Sequence, residues 1–195
     1  MKLFLVACGV VVVSGLFIAG CAFTRFGYET PSYRVSRKSG AFEVREYGAL
    51  TVVTAPMGAT GQGRDAAFMR LFRYISKGNE DAAKISMTTP VLMAADAVPN
   101  GGAMSFIVPA KVAASHVPAP RDAELKVSQM KPARYAVIRL GGRDADEIVK
   151  AERRLRAWAA EAGLQVEGGA IVAGYDPPFT PGFMARNELL LRLAP

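Results

Sequence analysis

The sequence predicts an α+β domain in which one ββαββ unit is used twice, arranged as a distorted barrel or a paired sheet. Three observations carry that prediction. Runs with period-two alternation come in pairs, "AFEVREY" with "LTVVTAPM" and "ELKVSQM" with "RYAVIRL", which is the pattern of half-buried strands. Each pair is followed by a run with apolar residues at helical spacing, and each helix by two further strand-like runs. The order also recurs at a steady offset: Val44 answers to Val127, Ile75 to Trp158 and Ile107 to Leu190, about 82 to 85 residues apart. A repeated element order at fixed spacing points to internal duplication and pseudo-twofold symmetry.

Taken in order, the first stretch stands apart from the rest. Lys2 is its only charge, and "LFLVACGVVVVSGLFIAG" runs apolar up to Cys21. A basic start, an apolar stretch and small residues before a cysteine are the layout of a secretory signal. "IAGC", Ile18 to Cys21, resembles the lipobox read by lipoprotein signal peptidase, which implies that residues 1–20 are removed and Cys21 is lipidated. The alternative is an uncleaved N-terminal transmembrane anchor, because the run is long enough to span a bilayer. Both readings hold the remainder at a membrane outside the cytoplasm. A single acyl chain anchors only marginally, so stable attachment takes more than one; the lipoprotein modification supplies them. Ala22, not Asp, follows the cysteine, which by resemblance to Gram-negative sorting implies the periplasmic face of the outer membrane. Residues 21–32 then read as a lipidated tether and 33–195 as the folded domain.

Within that domain the first two strands flank a turn at Gly48, and "RDAAFMRLFRYIS" forms a helix with Phe68, Leu71, Phe72 and Ile75 on one face. Asp65 is placed to cap its start, and Lys77-Gly78-Asn79 to stop it. "KISMTTPVLM" alternates as a strand, although Pro90 cannot donate to a ladder and so calls for an edge or a bulge. "AMSFIVPA" follows a Pro-Asn-Gly-Gly loop, and the proline-bearing stretch 110–122, "AKVAASHVPAPRD", reads as a loop between the halves. The second half has strands about Lys131-Pro132 and a helix with Ile148, Ala151, Leu155, Trp158 and Ala162 on one face. "GGAIVAGYD" and "RNELLLRL" close it.

Composition narrows the chemistry. The net charge is +7, but the basic residues are scattered, as on a solvated surface. Arg34, Arg37 and Lys38 lie close to the anchor, where anionic headgroups would meet them. No nucleic-acid-binding motif accompanies them, so nucleic acid is not an expected partner. Cys8 and Cys21 are the only cysteines; the mature domain therefore has no disulfide, no zinc–cysteine site and no thiol nucleophile. His116, the single histidine, sits in the loop between the halves with no carboxylate fixed beside it as a catalytic triad requires. The serines lack a G-x-S-x-G elbow, and "GATGQGRD" lacks the Lys-Ser or Lys-Thr of a phosphate loop. The chain is expected not to be an enzyme and to have neither catalytic residues nor a metal site of its own.

Binding is the better-supported class. Phe68, Met69, Phe72 and Tyr74 cluster on the first helix with Arg70 and Arg73 interleaved, and Met87, Met93 and Met104 lie on neighbouring strands. Such residues build either a core or an apolar slot; methionine adapts to a flat ligand, and arginines at the rim would meet carboxylates. "FEVREYG" at 42–48, "RYISKGNEDAAKISMTTPV" at 73–91 and "AGYDPPFTPGFMARNELLL" at 173–191, in that order and spacing, resemble the SOUL haem-binding protein family from near Tyr33 to the C-terminus. The resemblance implies two related repeats in a distorted, mostly antiparallel eight-stranded barrel flanked by two helices, an architecture shared with bacterial effector-binding domains. It also implies reversible binding of haem or another tetrapyrrole in a shallow apolar pocket beside the first helix, by a carrier, buffer or sensor. Carried across by position, the pocket is Phe68, Leu71, Phe72 and Arg73, with Tyr175 from the closing hairpin. Some members have a histidine where this chain has Glu46. Haem iron takes His, Cys, Met or Tyr, which leaves His116 as a candidate axial ligand beside the methionines and tyrosines. The alternatives on this fold are an envelope interaction module without haem, and a binder or hydrolase of another small hydrophobic molecule. "YDPP" reads as a rigid turn, and Arg186 with Glu188 as an ion pair on one face of a strand that fixes its register.

Overall fold

A computed structural model describes residues 27–58, 62–94, 102–142, 144–177, 180 and 184–195. The expected signal segment 1–20 and the expected lipidation site Cys21 lie outside the described residues. The elements run β1 (Tyr33–Ser39), β2 (Phe42–Tyr47), β3 (Leu50–Pro56), α1 (Gln62–Ile75), β4 (Val91–Ala94), β5 (Ala103–Ile107), α2 (Ala110–Ser115), β6 (Lys126–Met130), β7 (Ala133–Leu140), α3 (Ala145–Glu161), β8 (Val166–Gly174) and β9 (Asn187–Leu193). The ββαββ duplication is present as β2-β3-α1-β4-β5 and β6-β7-α3-β8-β9.

The strands form one antiparallel sheet in the order β1-β2-β7-β9-β8-β4-β5-β3-β6. Without β1 the order is palindromic once equivalent strands of the two units are exchanged, and the β8–β4 ladder lies at its centre. The strands flanking Gly48 do not pair with each other; neither do those flanking Lys131-Pro132. Each unit instead lends its first strand to the other: Val44 of β2 stands opposite Ala136 of β7, and Val127 of β6 opposite Val53 of β3. The sheet is not closed, so the expected eight-stranded barrel is corrected to an open nine-stranded sheet. Its ninth strand, β1, is exposed along its whole length and therefore carries no apolar alternation. Arg34, Arg37 and Lys38, and a register shift between Val35 and Arg37, blunt this free edge against further pairing.

Strands β3, β5, β7 and β9 bury residues on both faces, which explains near-continuous apolar runs such as "ELLLRL". On one side Val53, Ala55, Met104 and Phe106 pack under Ala67, Leu71 and Tyr74 of α1. Leu189, Leu191 and Leu193 pack under Ala151 and Leu155 of α3. The opposite side is filled by Val52, Leu92, Tyr135, Val137, Tyr175 and Leu190. The core thus has two helix-covered lobes and a shared interior.

Helix α1 begins at Gln62, so Asp65 lies in its first turn, where a carboxylate meets the positive end of the helix dipole, and not at the cap. The stop signal acts as read. Lys77 takes a positive φ of 83°, and a Cβ on Gly78 would stand 2.6 Å from the Arg73 carbonyl oxygen. Asn79 is fully buried; its Nδ2 donates to the carbonyls of Tyr74 at 2.9 Å and Ala83 at 2.7 Å, and its Oδ1 accepts from the Ala83 N–H at 3.0 Å. This amide fixes where the chain leaves α1 for the stretch that lines the site below. Asn79→Ala leaves those three groups unpaired and is expected to cost roughly 2 kcal/mol, read as a lower urea midpoint at unchanged slope.

Two loop readings change. "KISMTTPVLM" is strand only from Val91 onward. Thr88 is buried and donates to the Ile107 carbonyl at 2.6 Å, so residues 85–90 follow side-chain anchoring and not a ladder period. The stretch 110–122 is not all loop: Ala110–Ser115 forms α2, whose first N–H at Ala110 donates to the Glu29 carboxylate at 2.7 Å. That bond, with the Thr89 N–H donating to the Glu29 carbonyl at 2.9 Å, brings the end of the expected tether into the domain before Tyr33.

Candidate functional site

The C-terminal half of α1 overhangs the β4–β8 junction, the centre of the pseudo-twofold sheet, and the space beneath is a cleft of about 340 Å³. Helical spacing places Phe68 and Phe72 one turn apart on the overhanging edge. Their rings lie nearly parallel, 6.2 Å between centroids and 11° between planes, and Phe68 meets Phe106 edge-on at 5.4 Å. Met87 and Thr89 enter from the stretch after α1, Val91 from the start of β4, and Gly174 to Pro177 from the end of β8; Tyr28 completes the rim. Phe68 is half-buried, and Phe72 remains 44% exposed, so the cleft opens to the outside along the helix.

One wall is electrostatically fixed from behind. Tyr175 donates from its hydroxyl to Glu188 at 2.9 Å, and the Arg186 guanidinium lies 4.1 Å over its ring. Glu188, itself buried, also accepts from both terminal nitrogens of Arg45, at 2.6 and 3.2 Å, and from Arg186 at 2.7 Å. Arg45 reaches Glu43 at 2.7 Å as well and lies 4.4 Å over the Tyr33 ring. Burial raises the Glu188 carboxyl, but the hydrogen bonds and charges of the two arginines outweigh it and hold the group below the ordinary carboxylate range. Burial, with the Glu188 charge beside it, pushes the Tyr175 phenol well above its usual value, so that phenol stays a donor. The Asp176 carboxylate accepts from the Arg186 backbone N–H and ties the "YDPP" turn to β9. The expected Arg186–Glu188 pair is therefore present, extended by Arg45, which lies in "FEVREYG".

Phe68, Phe72 and Tyr175 are thus brought together around one cleft. Leu71 is not a wall: it is fully buried and packs in the α1 core, because helix periodicity turns it away from Phe72. Arg73 is exposed and is not among the lining residues. Arg70 is committed to Asp122 and Glu124. Of the methionines, Met87 lines the cleft, whereas Met104 is buried in the core. His116 is exposed and lies elsewhere, its Nε2 3.0 Å from the Asp81 carboxylate. Glu46 pairs with Arg34 at 2.6 Å on the β1–β2 edge. Sequence reasoning missed Tyr28, which precedes the expected domain start, and Gly174 and Pro177, which lay inside a quoted stretch but offered no side-chain chemistry.

Behind the Gly174 wall stands Asn187, opposite it in the β8–β9 ladder. Asn187 is 2% exposed, and its Nδ2 has no hydrogen-bond partner among the described residues. Its Oδ1 lies 3.6 Å from where a Cβ on Gly174 would stand. A buried unpaired donor is rare and costly, and here it sits beside a glycine whose missing side chain thins the wall. A larger cleft of about 480 Å³ runs between residues 29–32, residues 48–51 and α2; its lining has neither aromatic nor sulfur side chains. Among the described residues no group of three or more His, Cys, Asp or Glu could hold a metal ion. No helix among them is long and apolar enough to cross a membrane.

Residues 28–192 match the family described as SOUL heme-binding protein. No curated protein matches the sequence. Among solved structures the chain is similar to the C-terminal domain of EcmrR, at 10% identity and a TM-score of 0.53, covering 83% of this chain and 98% of that one. The EcmrR of a complex with DNA gives 10% and 0.56, over 78% of this chain and 56% of that one. A protein from Listeria innocua described as a hydrolase gives 10% and 0.56, over 82% and 94%. At such identity the likeness is one of fold.

Proposed function

Because the chain belongs to the SOUL heme-binding protein family, we propose that it binds haem or a related tetrapyrrole in the cleft between α1 and the β4–β8 junction. It acts there as an exported, membrane-anchored carrier, buffer or sensor. The observation that carries this is the stacked Phe68–Phe72 pair facing Met87, Val91 and Tyr175 across about 340 Å³. That volume is at the small end of ligand sites, which run from about 300 to 1,000 Å³; it suits a flat ligand seated by one edge.

The lining fits the group. The two phenylalanines and Val91 offer flat apolar faces, and Met87 offers a thioether of the kind that haem iron accepts. Haem, when bound, would supply the iron and the macrocycle that give the protein its spectrum. Asn187 offers an unpaired amide donor close behind the wall for an acceptor on the ligand. Turnover is less well served. The lining carboxylate, Asp176, already accepts from Arg186, and the alcohol of Thr89 shares a 3.0 Å hydrogen bond with that of Thr30.

Titrating the domain from Ala22 onward with hemin is expected to give a saturable Soret shift near one equivalent. Met87→Leu is expected to change that spectrum and His116→Ala to leave it as it is. Absence of a shift at micromolar protein would overturn the haem reading and leave an interaction module on this fold.

A further inference from the structure

We infer that the rim of the cleft docks on the lipid bilayer, so that the ligand passes between membrane and protein without crossing bulk water. The inference rests on the membrane-anchored reading given above. The exposed large apolar side chains of the described residues are few, and three of them gather here. Tyr28 is 41% exposed and Phe72 44%, both at the cleft, and Met69, one turn before Phe72 on α1, is 45% exposed. Grouped exposure of this kind marks an interaction surface, whereas single exposed residues do not. Val149, at 55% exposure on α3, is such a single residue and belongs to the other unit.

What covers the rim follows from the chain that leads to it. Tyr28 is seven residues from Cys21, and an extended chain of that length reaches at most about 25 Å. Whether lipid on Cys21 or an uncleaved apolar helix holds the chain, the rim lies within that distance of the headgroups. The connecting sequence, "AFTRFGY" at 22–28, places Phe23, Phe26 and Tyr28 around Arg25. Aromatic rings with a basic residue are the composition favoured at the membrane interface, so the sequence leading to the rim suits the interface as well. Arg64 and Arg73 are exposed on α1, with Lys77 exposed just past its end; on the helix they outnumber Asp65, as an anionic surface requires. A tetrapyrrole or any other flat apolar ligand partitions into lipid, and a cleft whose mouth rests on lipid takes it up there.

Full-length protein carrying Trp158→Phe and Met69→Trp has a single tryptophan, since the chain has only one. It is reconstituted into phosphatidylethanolamine–phosphatidylglycerol vesicles with brominated acyl chains, beside a companion carrying Trp158→Phe and Val149→Trp. The expected result is that both proteins float with the vesicles, that the tryptophan of Met69→Trp loses at least about half its emission, and that the companion keeps its own. Flotation without quenching, or equal quenching in both, overturns docking while anchoring stands; failure to float overturns anchoring, and docking with it. Should Trp158→Phe disturb α3, a bimane on Met69→Cys against one on Val149→Cys gives the same comparison with Trp158 in place, each with Cys8→Ser and, where the apolar segment is retained and Cys21 carries no lipid, Cys21→Ser as well.

Discussion

Glu188→Ala is expected to lower the unfolding free energy by about 3–5 kcal/mol, the cost of removing one partner from a buried ion pair. The carboxylate is 3% exposed and the Arg45 guanidinium beside it belongs to a residue 6% exposed. Without Glu188, Arg45 keeps Glu43 as its carboxylate partner and the Tyr33 ring, Arg186 loses its ion-pair partner, and the Tyr175 hydroxyl loses its acceptor. In a domain of this size such a loss lowers the melting temperature by roughly 10 °C, which calorimetry reads directly. Glu188→Gln keeps an acceptor of the same shape and is expected to lose less. Equal stability in wild type and Glu188→Ala would mean that the cluster is solvated and holds nothing.

The same cluster sets the pH range. Glu188 and Glu43 both titrate below the ordinary 4.5 in the folded protein, since burial raises each but arginine and lysine hydrogen bonds outweigh it. A lowered folded value gives stability that is complete above the unfolded value and is lost as pH falls through the folded one. Tyr175, Tyr47, Tyr135 and Tyr74 shift the other way from 10.0, with burial as the largest cause. Their contribution is complete below that value and is lost as pH rises past it. Stability should therefore be level between about 5 and 9 and fall on both sides, and Glu188→Ala should flatten the acid limb.

The duplicated unit was legible because the alternation and helix faces are local and each half repeats them. Strand exchange was not, since a two-residue link such as Gly48-Ala49 reads alike whether the flanking strands pair with each other or with the other unit. β1 was missed because an exposed edge strand buries nothing that could mark a period. In the site, Phe68 and Phe72 were visible from helix spacing. Leu71 and Arg73 were drawn in with them because a family position names a stretch of helix, and only the packing shows that Leu71 faces the core and Arg73 the outside. Arg45 lies far in sequence from Tyr175 and Glu188; the stretch 42–48 holds the first and 173–191 the other two, and nothing local announced that one carboxylate joins them.

Phe72→Asp separates the cleft from the fold. Phe72 is nearly half exposed and stacks on Phe68, so the substitution is expected to cost stability up to about 1.5 kcal/mol for the stack and about 1 kcal/mol for its buried half. A ligand in the cleft covers that position. It would lose an apolar face worth about 1.5–3 kcal/mol when fully buried and would have to desolvate a carboxylate. A net loss of roughly 2 kcal/mol weakens hemin about 30-fold, at 1.4 kcal/mol per tenfold, while Phe72→Leu stays within a few-fold of wild type. Arg73→Glu, one residue on but outside the lining, should change affinity by less than about threefold at moderate salt, because an exposed charge is screened there. The contrast between neighbours is what places the ligand. If Arg73→Glu weakened hemin as much as Phe72→Asp, the site would be an electrostatic face of α1. If Phe72→Asp left affinity unchanged, haem would have to sit away from α1 altogether, with the larger cleft beside α2 the next place to look.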